Sequence, residues 1–334
     1  SVQRVTLRAV CATTLMRCMM WFVLCSIRGV LSMSIVVRRV RQVNFRGKVR
    51  MMNRLLLELG EVSTSTETTI LSAQDRRTQY VRKFIWREKI GESLRIGVVD
   101  HGNLDDCIAH LQNDGSLALA TGEHTKVLLK KAQRPRLDLI LALPPPLRLK
   151  RMLPIISMLG VDRLFLCGSK QSDKTYFGSI LLRNLPRVGG IGRIADAQNS
   201  TGELRSLFIE GAEQSGFTAI PTLALCSNLR TALTSAKQQN TLQLAAHPDR
   251  GPNYSFDDGS SMPRPQSVNH FFDSSMNKVL LAVGPERGWH EPSEIQYFIE
   301  YGFHLVTLGP RTLRTDVALT SLLALVHDRL LFMQ

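Results

Sequence analysis

The first fifty residues contain no aspartate and no glutamate, although they hold ten of the 42 lysines and arginines of the chain. Residues 51–334 therefore contain 32 basic and all 28 acidic residues of the chain, so their formal charge is +4, compared with +14 for the whole chain. A basic surface over the whole protein is therefore excluded. Affinity for nucleic acid must come from local patches.

The cysteines show no pattern typical of a metal site or of a disulfide framework. None of the six cysteines forms a C-x-x-C pair or a metal-ligand spacing with histidine: Cys11, Cys18, Cys25, Cys107, Cys167 and Cys226. We therefore predict no metal site and no disulfide framework, which is typical of a reducing compartment. No G-x-G-x-x-G follows an apolar strand, which argues against a nicotinamide-dependent Rossmann enzyme.

Membrane-spanning runs are missing too. The apolar run Cys18–Ile27 has ten residues and is closed by Arg28, whereas a span needs about 20. Residues 1–51 are therefore a leader or an upstream extension rather than part of the fold. Three interpretations stay open: an organellar targeting segment, a membrane-associated leader, or translated sequence upstream of the true start.

The rest of the chain has ordinary globular composition, with 44% apolar and 21% charged residues over a length sufficient for two domains. Residues 52–133 have short strand-like segments, among them 55–59 and 107–111, and a hairpin signal at Asn113-Asp114-Gly115. This pattern predicts a small β-barrel. A basic segment containing Pro135 marks the boundary to a second domain at 136–334.

In the second domain, strand-like and helical patterns alternate. The predicted strands are 137–144, 163–167 and 242–246, and the predicted helices are 147–159 and 203–213. Such alternation predicts a parallel sheet covered on both faces by helices. Residues 249–276 are rich in Pro, Gly, Ser, Asn and Asp, which predicts a mobile surface insertion.

Two apolar strands near the end of the chain each stop at a Gly-Pro turn. Residues 280–289 read L-L-A-V-G-P-E-R-G-W, and residues 308–316 read L-G-P-R-T-L-R-T-D. In a parallel sheet both turns emerge at the carboxyl edge, where α/β folds bind their ligands. The two turns are therefore the predicted site.

These two segments resemble the signature of the RsmE-type 16S rRNA (uracil-N3) methyltransferases of the SPOUT class, I-G-P-E-G-G-[FW] and L-G-P-R-I-L-R-x-E-T-A. The resemblance extends over about residues 52–330, through L-A-L-P at 141–144, L-G-V at 159–161, D-K-T-Y-F-G-S at 173–179 and E-Q-S-G at 213–216. The chain departs from the family at Pro145 and Pro146, at Arg287 in place of glycine, and at Asp316 in place of glutamate.

The resemblance implies an α/β fold: a C-terminal SPOUT-type trefoil-knotted parallel sheet with helices on both faces, plus a small N-terminal PUA-like β-barrel domain. It implies an S-adenosyl-L-methionine-dependent enzyme, a homodimer without membrane association, that methylates N3 of a specific uridine in small-subunit rRNA or in the assembled small ribosomal subunit. It favours a start at Met52 and a cytoplasmic location, or a mitochondrial or plastid one if residues 1–50 are a transit peptide. Another SPOUT chemistry, such as ribose 2′-O methylation, is the related alternative.

The resemblance also implies roles for individual residues. Arg311 and Arg314 would stabilise anionic charge on the uracil oxygens, with Glu213 or Asp316 as proton acceptor or orienting group. The predicted cofactor-binding residues are Ala246, His247, Gly284, Pro285, Glu286, Gly288, Leu308, Gly309 and Leu313. The predicted RNA-binding residues are Arg76, Arg77, Arg82, Lys83 and Gln214. Arg287 supports an alternative from a different class, a catalytically impaired RNA-binding or ribosome-assembly protein.

Overall fold

A computed structural model describes residues 54–63, 66, 68–86, 93–183, 185, 187–188, 202–251, 262–272 and 278–332. Residues 51–334 form one compact unit. The predicted leader at 1–51 lies outside the described residues, as do 252–261 and 273–276 of the predicted mobile insertion.

The N-terminal domain is built from two three-stranded sheets. The first has the order β1 (Leu55–Leu57), β3 (Leu94–Val98), β4 (Asn103–Cys107), and the second has the order β2 (Thr68–Leu71), β6 (Leu117–Ala120), β5 (Ala109–Leu111). Helix α1 (Arg76–Tyr80), a π-helical turn (Val81–Ile85) and α2 (Thr125–Leu128) complete it. Both sheets contribute to a single apolar core. The PUA-like barrel stays a prediction.

Two predicted strands of this domain are shorter in the structure. The strand at 55–59 ends at Leu57, and Leu59 begins a half-exposed 3-10 turn (Leu59–Glu61). The strand at 107–111 is interrupted at Ile108, which is 60% exposed. The hairpin between β5 and β6 is confirmed, with Gly115 at a φ of +82°. That backbone conformation favours glycine.

The second domain contains an eight-stranded sheet in which every pair is parallel, in the order β12-β14-β11-β13-β7-β8-β10-β9. Its strands are β7 (Leu137–Ala142), β8 (Arg163–Cys167), β9 (Arg187–Val188), β10 (Thr222–Cys226), β11 (Thr241–Ala246), β12 (Gln266–Ser267), β13 (Lys278–Val283) and β14 (His304–Thr307). Its helices are α3 (Pro146–Met158), α4 (Glu203–Ser215), α5 (Leu229–Ala236), α6 (Ser293–Glu300) and α7 (Thr315–Phe332). Short 3-10 helices lie at Lys174–Gly178 and Val268–His270, and another, Gly122–His124, precedes α2 in the N-terminal domain.

Helices cover both faces of this sheet, as the sequence predicts. Along β7, Leu139 and Leu141 belong to one core with residues of α3, α4 and α7, whereas Ile140 and Ala142 belong to the other with residues of α5 and α6. Alternate strand residues point to opposite faces, so β7 supplies both cores. Among the described residues, no helix is long and apolar enough to cross a membrane.

Hydrogen bonds and ion pairs connect the two domains. The Arg54 backbone N–H donates to the Glu213 carbonyl at 2.9 Å, and the Arg54 guanidinium donates to the Gly216 carbonyl at 2.7 Å. Arg134, between the domains, pairs with Asp100 and Asp162 at 2.7 Å each. The end of α4 is therefore held against β1, which fixes the surroundings of Glu213.

Helices α3 and α4 approach each other closely at Gly211. A Cβ atom on Gly211 would lie 2.1 Å from the Pro154 carbonyl oxygen. We therefore expect Gly211→Ala to lower the free energy of unfolding by about 1–3 kcal/mol through overpacking, although alanine is the better helix former by about 1 kcal/mol.

Urea denaturation of the full chain measures this effect. Gly178→Ala is the matched control, because a Cβ at Gly178 meets no atom within 4 Å. A Gly211→Ala variant as stable as the control would contradict the described packing of α3 on α4.

Candidate active site

Three neighbouring strands bring their following loops together at the carboxyl edge of the sheet. Strand β11 pairs in register with β13 and with β14, so that Ala245 lies beside Ala282 and Ala246 beside Val306. The loops after these strands enclose a cavity of about 360 Å³. This is the edge at which the sequence predicts the site.

All nine predicted cofactor-binding residues line this cavity: Ala246, His247, Gly284, Pro285, Glu286, Gly288, Leu308, Gly309 and Leu313. Segments far apart in sequence therefore form one concave surface. Of the predicted catalytic residues, Arg311 also lines it.

The loop after β13 is a tight turn that needs glycine at one position. The Gly288 N–H donates to the Pro285 carbonyl at 2.9 Å, and Gly288 has a φ of +77°. Arg287 is exposed and is not among the described residues with positive φ. The backbone of the turn therefore needs no glycine at position 287, and the Arg287 side chain lines the cavity.

Two further contacts fix that loop. Gly284 allows the Trp289 ring to pack closely, since a Cβ on Gly284 would lie 3.2 Å from the indole nitrogen. Glu286 forms an ion pair with Arg148 in the first turn of α3. Arg148 is not among the residues that the sequence predicts for the site. The signal was available, because α3 follows β7 and so begins at the same carboxyl edge.

Two hydrogen bonds between the Thr307 hydroxyl and the Gly309 backbone close the loop after β14. Thr307 Oγ1 accepts from the Gly309 N–H and donates to the Gly309 carbonyl, both at 3.1 Å. Gly309 has a φ of +103°, and a Cβ there would meet no atom within 4 Å. The backbone at Gly309 therefore borders open space, where a bound ligand can approach it closely.

The imidazole of His247 is held in the cavity wall. Its side chain is 2% exposed, with Nε2 2.9 Å from Glu291 Oε1 and Nδ1 2.9 Å from the Pro248 carbonyl oxygen. Glu291 also pairs with Arg250 at 3.1 Å. The ring thus supports the loop after β11, and a contact between the ring and a cofactor stays a prediction.

The four predicted catalytic residues are not brought together within one chain. Arg314 and Asp316 form an ion pair at the start of α7, outside the set of described residues that lines the cavity. The bond from Arg314 lowers the pKa of Asp316 although burial opposes it, which makes Asp316 a weaker proton acceptor.

Glu213 lies in a different cavity, of about 200 Å³, at the junction of the domains with Arg76, Tyr80 and Gln214. Burial raises the pKa of Glu213, against the opposing effect of Arg76, whose guanidinium lies 3.2 Å from the carboxylate. Among the described residues, no group of three or more His, Cys, Asp or Glu could hold a metal ion.

The predicted RNA-binding residues divide into two groups. Arg76 and Gln214 border the junction cavity, and both are exposed. Arg82 and Lys83 are exposed on the π-helical turn, where the Lys83 ammonium lies 5.1 Å from the centre of the Phe84 ring. These four are accessible to a phosphate.

Arg77 is different, because the structure does not make it accessible as an RNA-binding residue must be. Its side chain is 14% exposed. All five of its N–H groups are used, by Glu61, Asp75 and the Leu56 carbonyl. Arg77 therefore holds the N-terminal domain together and has no donor left for RNA.

The family becomes clear from comparison with known proteins. A family model for the RNA methyltransferase domain matches residues 131–327, so the chain belongs to that family. The ribosomal RNA small subunit methyltransferase E of Treponema pallidum (strain Nichols) is 25% identical over 283 residues, which cover 82% of this chain and 90% of that protein. The resemblance to the RsmE-type enzymes is thereby confirmed.

Solved structures have the same fold. A ribosomal RNA small subunit methyltransferase E from Neisseria gonorrhoeae, bound to S-adenosyl methionine, matches with a TM-score of 0.57 and 19% identity over 83% of this chain and 97% of that one. A probable rRNA-methyltransferase from Porphyromonas gingivalis matches with a TM-score of 0.56 and 18% identity over 84% and 100%.

The Arg77 cluster predicts a pH-dependent stability. Burial would raise the pKa of Glu61, but hydrogen bonds from Arg77 and from the Glu58 N–H outweigh this effect and lower the pKa of Glu61. The hydrogen bond from Arg77 also lowers the pKa of Asp75. Both carboxylates therefore stabilise the fold above their unfolded pKa values, about 4, and lose this contribution as the pH falls through the lowered values.

We expect Arg77→Met to lower the free energy of unfolding by roughly 2 kcal/mol at pH 7, less than for a fully buried pair because the partners are partly exposed. The difference from wild type should narrow as the pH falls below about 4. Urea denaturation from pH 7 to pH 3 measures both effects, with Arg82→Met as the exposed control. A loss at pH 7 no greater than that of the control would contradict the assignment.

Proposed function

We propose that this protein transfers a methyl group from S-adenosyl-L-methionine to N3 of a specific uridine in small-subunit rRNA. The observation that carries the proposal is the single cavity formed by the loops after β11, β13 and β14, on an RNA methyltransferase domain. The small-subunit rRNA and the uracil come from the RsmE-type relative and from the motifs that it shares with this chain.

The cavity fits S-adenosyl-L-methionine chemically. This cofactor has no polyphosphate, so its recognition needs no P-loop lysine. Gly288 and Gly309 have positive φ and open space where a Cβ would be, which leaves their backbone groups free to approach a ligand. Ala246, Leu308 and Leu313 supply apolar wall. The Neisseria gonorrhoeae structure, which binds S-adenosyl methionine, supports this assignment.

When bound, the cofactor supplies an electrophilic methyl group. Uracil must give up its N3 proton to a base, and the resulting negative charge spreads over the two flanking oxygens. Transfer of the methyl group to N3 would break its bond to sulfur and leave S-adenosyl-L-homocysteine. Arg311 is exposed at the cavity and carries a guanidinium suited to these oxygens. The raised pKa of Glu213 makes it the stronger base of the two predicted carboxylates. A second subunit would have to bring it near the cavity.

A homodimer is part of the proposal. Helix α7 and the segment just before it carry apolar side chains on the solvent side as well as on the core side. Leu313, Val317 and Leu325, on and just before α7, are 36%, 46% and 37% exposed. A second copy of the chain is the partner that we propose for this face. The trefoil knot and the PUA-like identity of the N-terminal domain belong to the same proposal.

We infer a cytoplasmic location, or a mitochondrial or plastid one if residues 1–50 are a transit peptide. Cys107, Cys167 and Cys226 are buried free thiols, and burial raises the pKa of each. Thiols of this kind are inert, and the absence of disulfides among the described residues supports a reducing environment.

The direct test is methyl transfer by the full chain. Small ribosomal subunits are incubated with methyl-labelled S-adenosyl-L-methionine, and their rRNA is digested to nucleosides. We expect the label in N3-methyluridine, and a decrease of about 100-fold or more in kcat for Arg311→Gln. Arg329→Gln, near the far end of α7, is the matched control and should keep full activity. Label in a ribose 2′-O-methyl nucleoside, or no transfer, would contradict the proposed reaction.

A further inference from the structure

A second cavity lies at the same edge of the sheet. It has a volume of about 510 Å³ and lies where β8 and β10 end. We call it the basic cleft, because its lining includes Lys170 and Lys174 from the loop after β8 and Arg230 from the first turn of α5. The methyl-transfer mechanism uses none of these residues.

The three cations of the basic cleft are exposed and partly oriented. The Arg230 guanidinium lies 4.5 Å from the centre of the Tyr297 ring, so that it is held over an aromatic surface. The Lys170 ammonium donates to Ser293 Oγ at 2.8 Å, which leaves further N–H donors on the same group. An anion in the cleft would therefore meet donors from two separate segments of the chain.

The nearby carboxylates are already engaged. Of the described residues that line the cleft, Glu294 is the one carboxylate, and it is 3% exposed. It accepts from Ser169 Oγ at 2.8 Å, from the Lys170 N–H at 2.9 Å and from the His290 N–H at 2.7 Å. On the loop after β8, Asp173 accepts from the Thr175 N–H and hydroxyl, both at 2.8 Å. With three cations and one carboxylate in its described lining, the cleft has a net positive charge.

Glu294 also connects the cleft to the candidate active site. Its carboxylate bonds the loop after β8 and the backbone of His290, which directly follows the cavity residue Trp289. In the sheet, β8 lies two strands away from β13, or about 10 Å at the usual spacing of strands. An RNA strand with one base in the active site thus has its neighbouring phosphates within reach of the cleft.

The geometry points to the basic cleft as a binding site for phosphodiester groups of the RNA strand on one side of the target nucleotide. Lysine and arginine bind phosphate through charge-assisted hydrogen bonds, independently of base identity. This inference rests on the proposed function, because it gives the substrate of that reaction a second point of attachment.

The test is binding of a fluorescein-labelled ten-nucleotide oligouridylate to the full chain, followed by fluorescence anisotropy between 50 and 200 mM salt. For Lys174→Gln and Arg230→Gln, we expect weaker binding at 50 mM salt. For each lost contact, the slope of log K against log salt should decrease in magnitude by roughly 0.7. Arg230→Lys keeps the charge and should retain most of the affinity. Lys237→Gln, directly after the other end of α5, removes an equal charge away from the cleft and should bind like wild type.

Calorimetric titration of the same variants with S-adenosyl-L-methionine separates this inference from the proposed function. If the cleft variants bind the cofactor like wild type but bind the oligouridylate more weakly with a reduced salt slope, the inference is supported. If they bind the oligouridylate like Lys237→Gln, or if the wild-type chain does not bind it at all, the inference is overturned. Failure of the wild-type chain to bind the cofactor would instead count against the proposed function.

Discussion

The parallel register of β11, β13 and β14 is the constraint on which the candidate site depends. Because the three strands pair side by side and run in the same direction, their following loops must leave the sheet at one edge. Residues 246–250, 284–289 and 307–313 thereby form one cavity although long segments separate them in sequence. The two apolar cores on the faces of the sheet hold this register, and few residues within the loops need to contribute to stability.

The loops themselves are shaped by a small number of local requirements. Gly288 and Gly309 take backbone conformations that other residues adopt at a cost. Thr307, in the cavity wall, and Arg148, on α3, hold the loops in place. Arg287 occupies a position without such a requirement. Arg287 is therefore compatible with the backbone of this turn. The interpretation as an impaired enzyme depends instead on its side chain, which lines the cavity.

The sequence predicted those features of the fold that depend on residues close together in the chain. Apolar runs and Gly-Pro turns predicted most strands of the second domain, the edge that carries the cavity and the residues that line it. They did not predict that Ile108 breaks a strand or that Arg77 is buried, because each depends on contacts with distant segments. The positions of Glu213 and Arg76 likewise follow from the packing of α4 against the N-terminal domain. The strand β10 was not predicted, although its apolar run is as long as that of β8.

The measurement that most directly tests the central claim is calorimetric titration of S-adenosyl-L-methionine into the full chain. We expect saturable binding by the wild type and binding within about threefold of it for Arg287→Gly. We expect loss of binding for Gly309→Val, where a side chain would strain the loop and enter the cavity. Gly60→Val is the control, since a Cβ at Gly60 also meets open space but lies in the N-terminal domain. A wild-type chain that does not bind the cofactor, or a Gly309→Val variant that binds it equally well, would contradict the account.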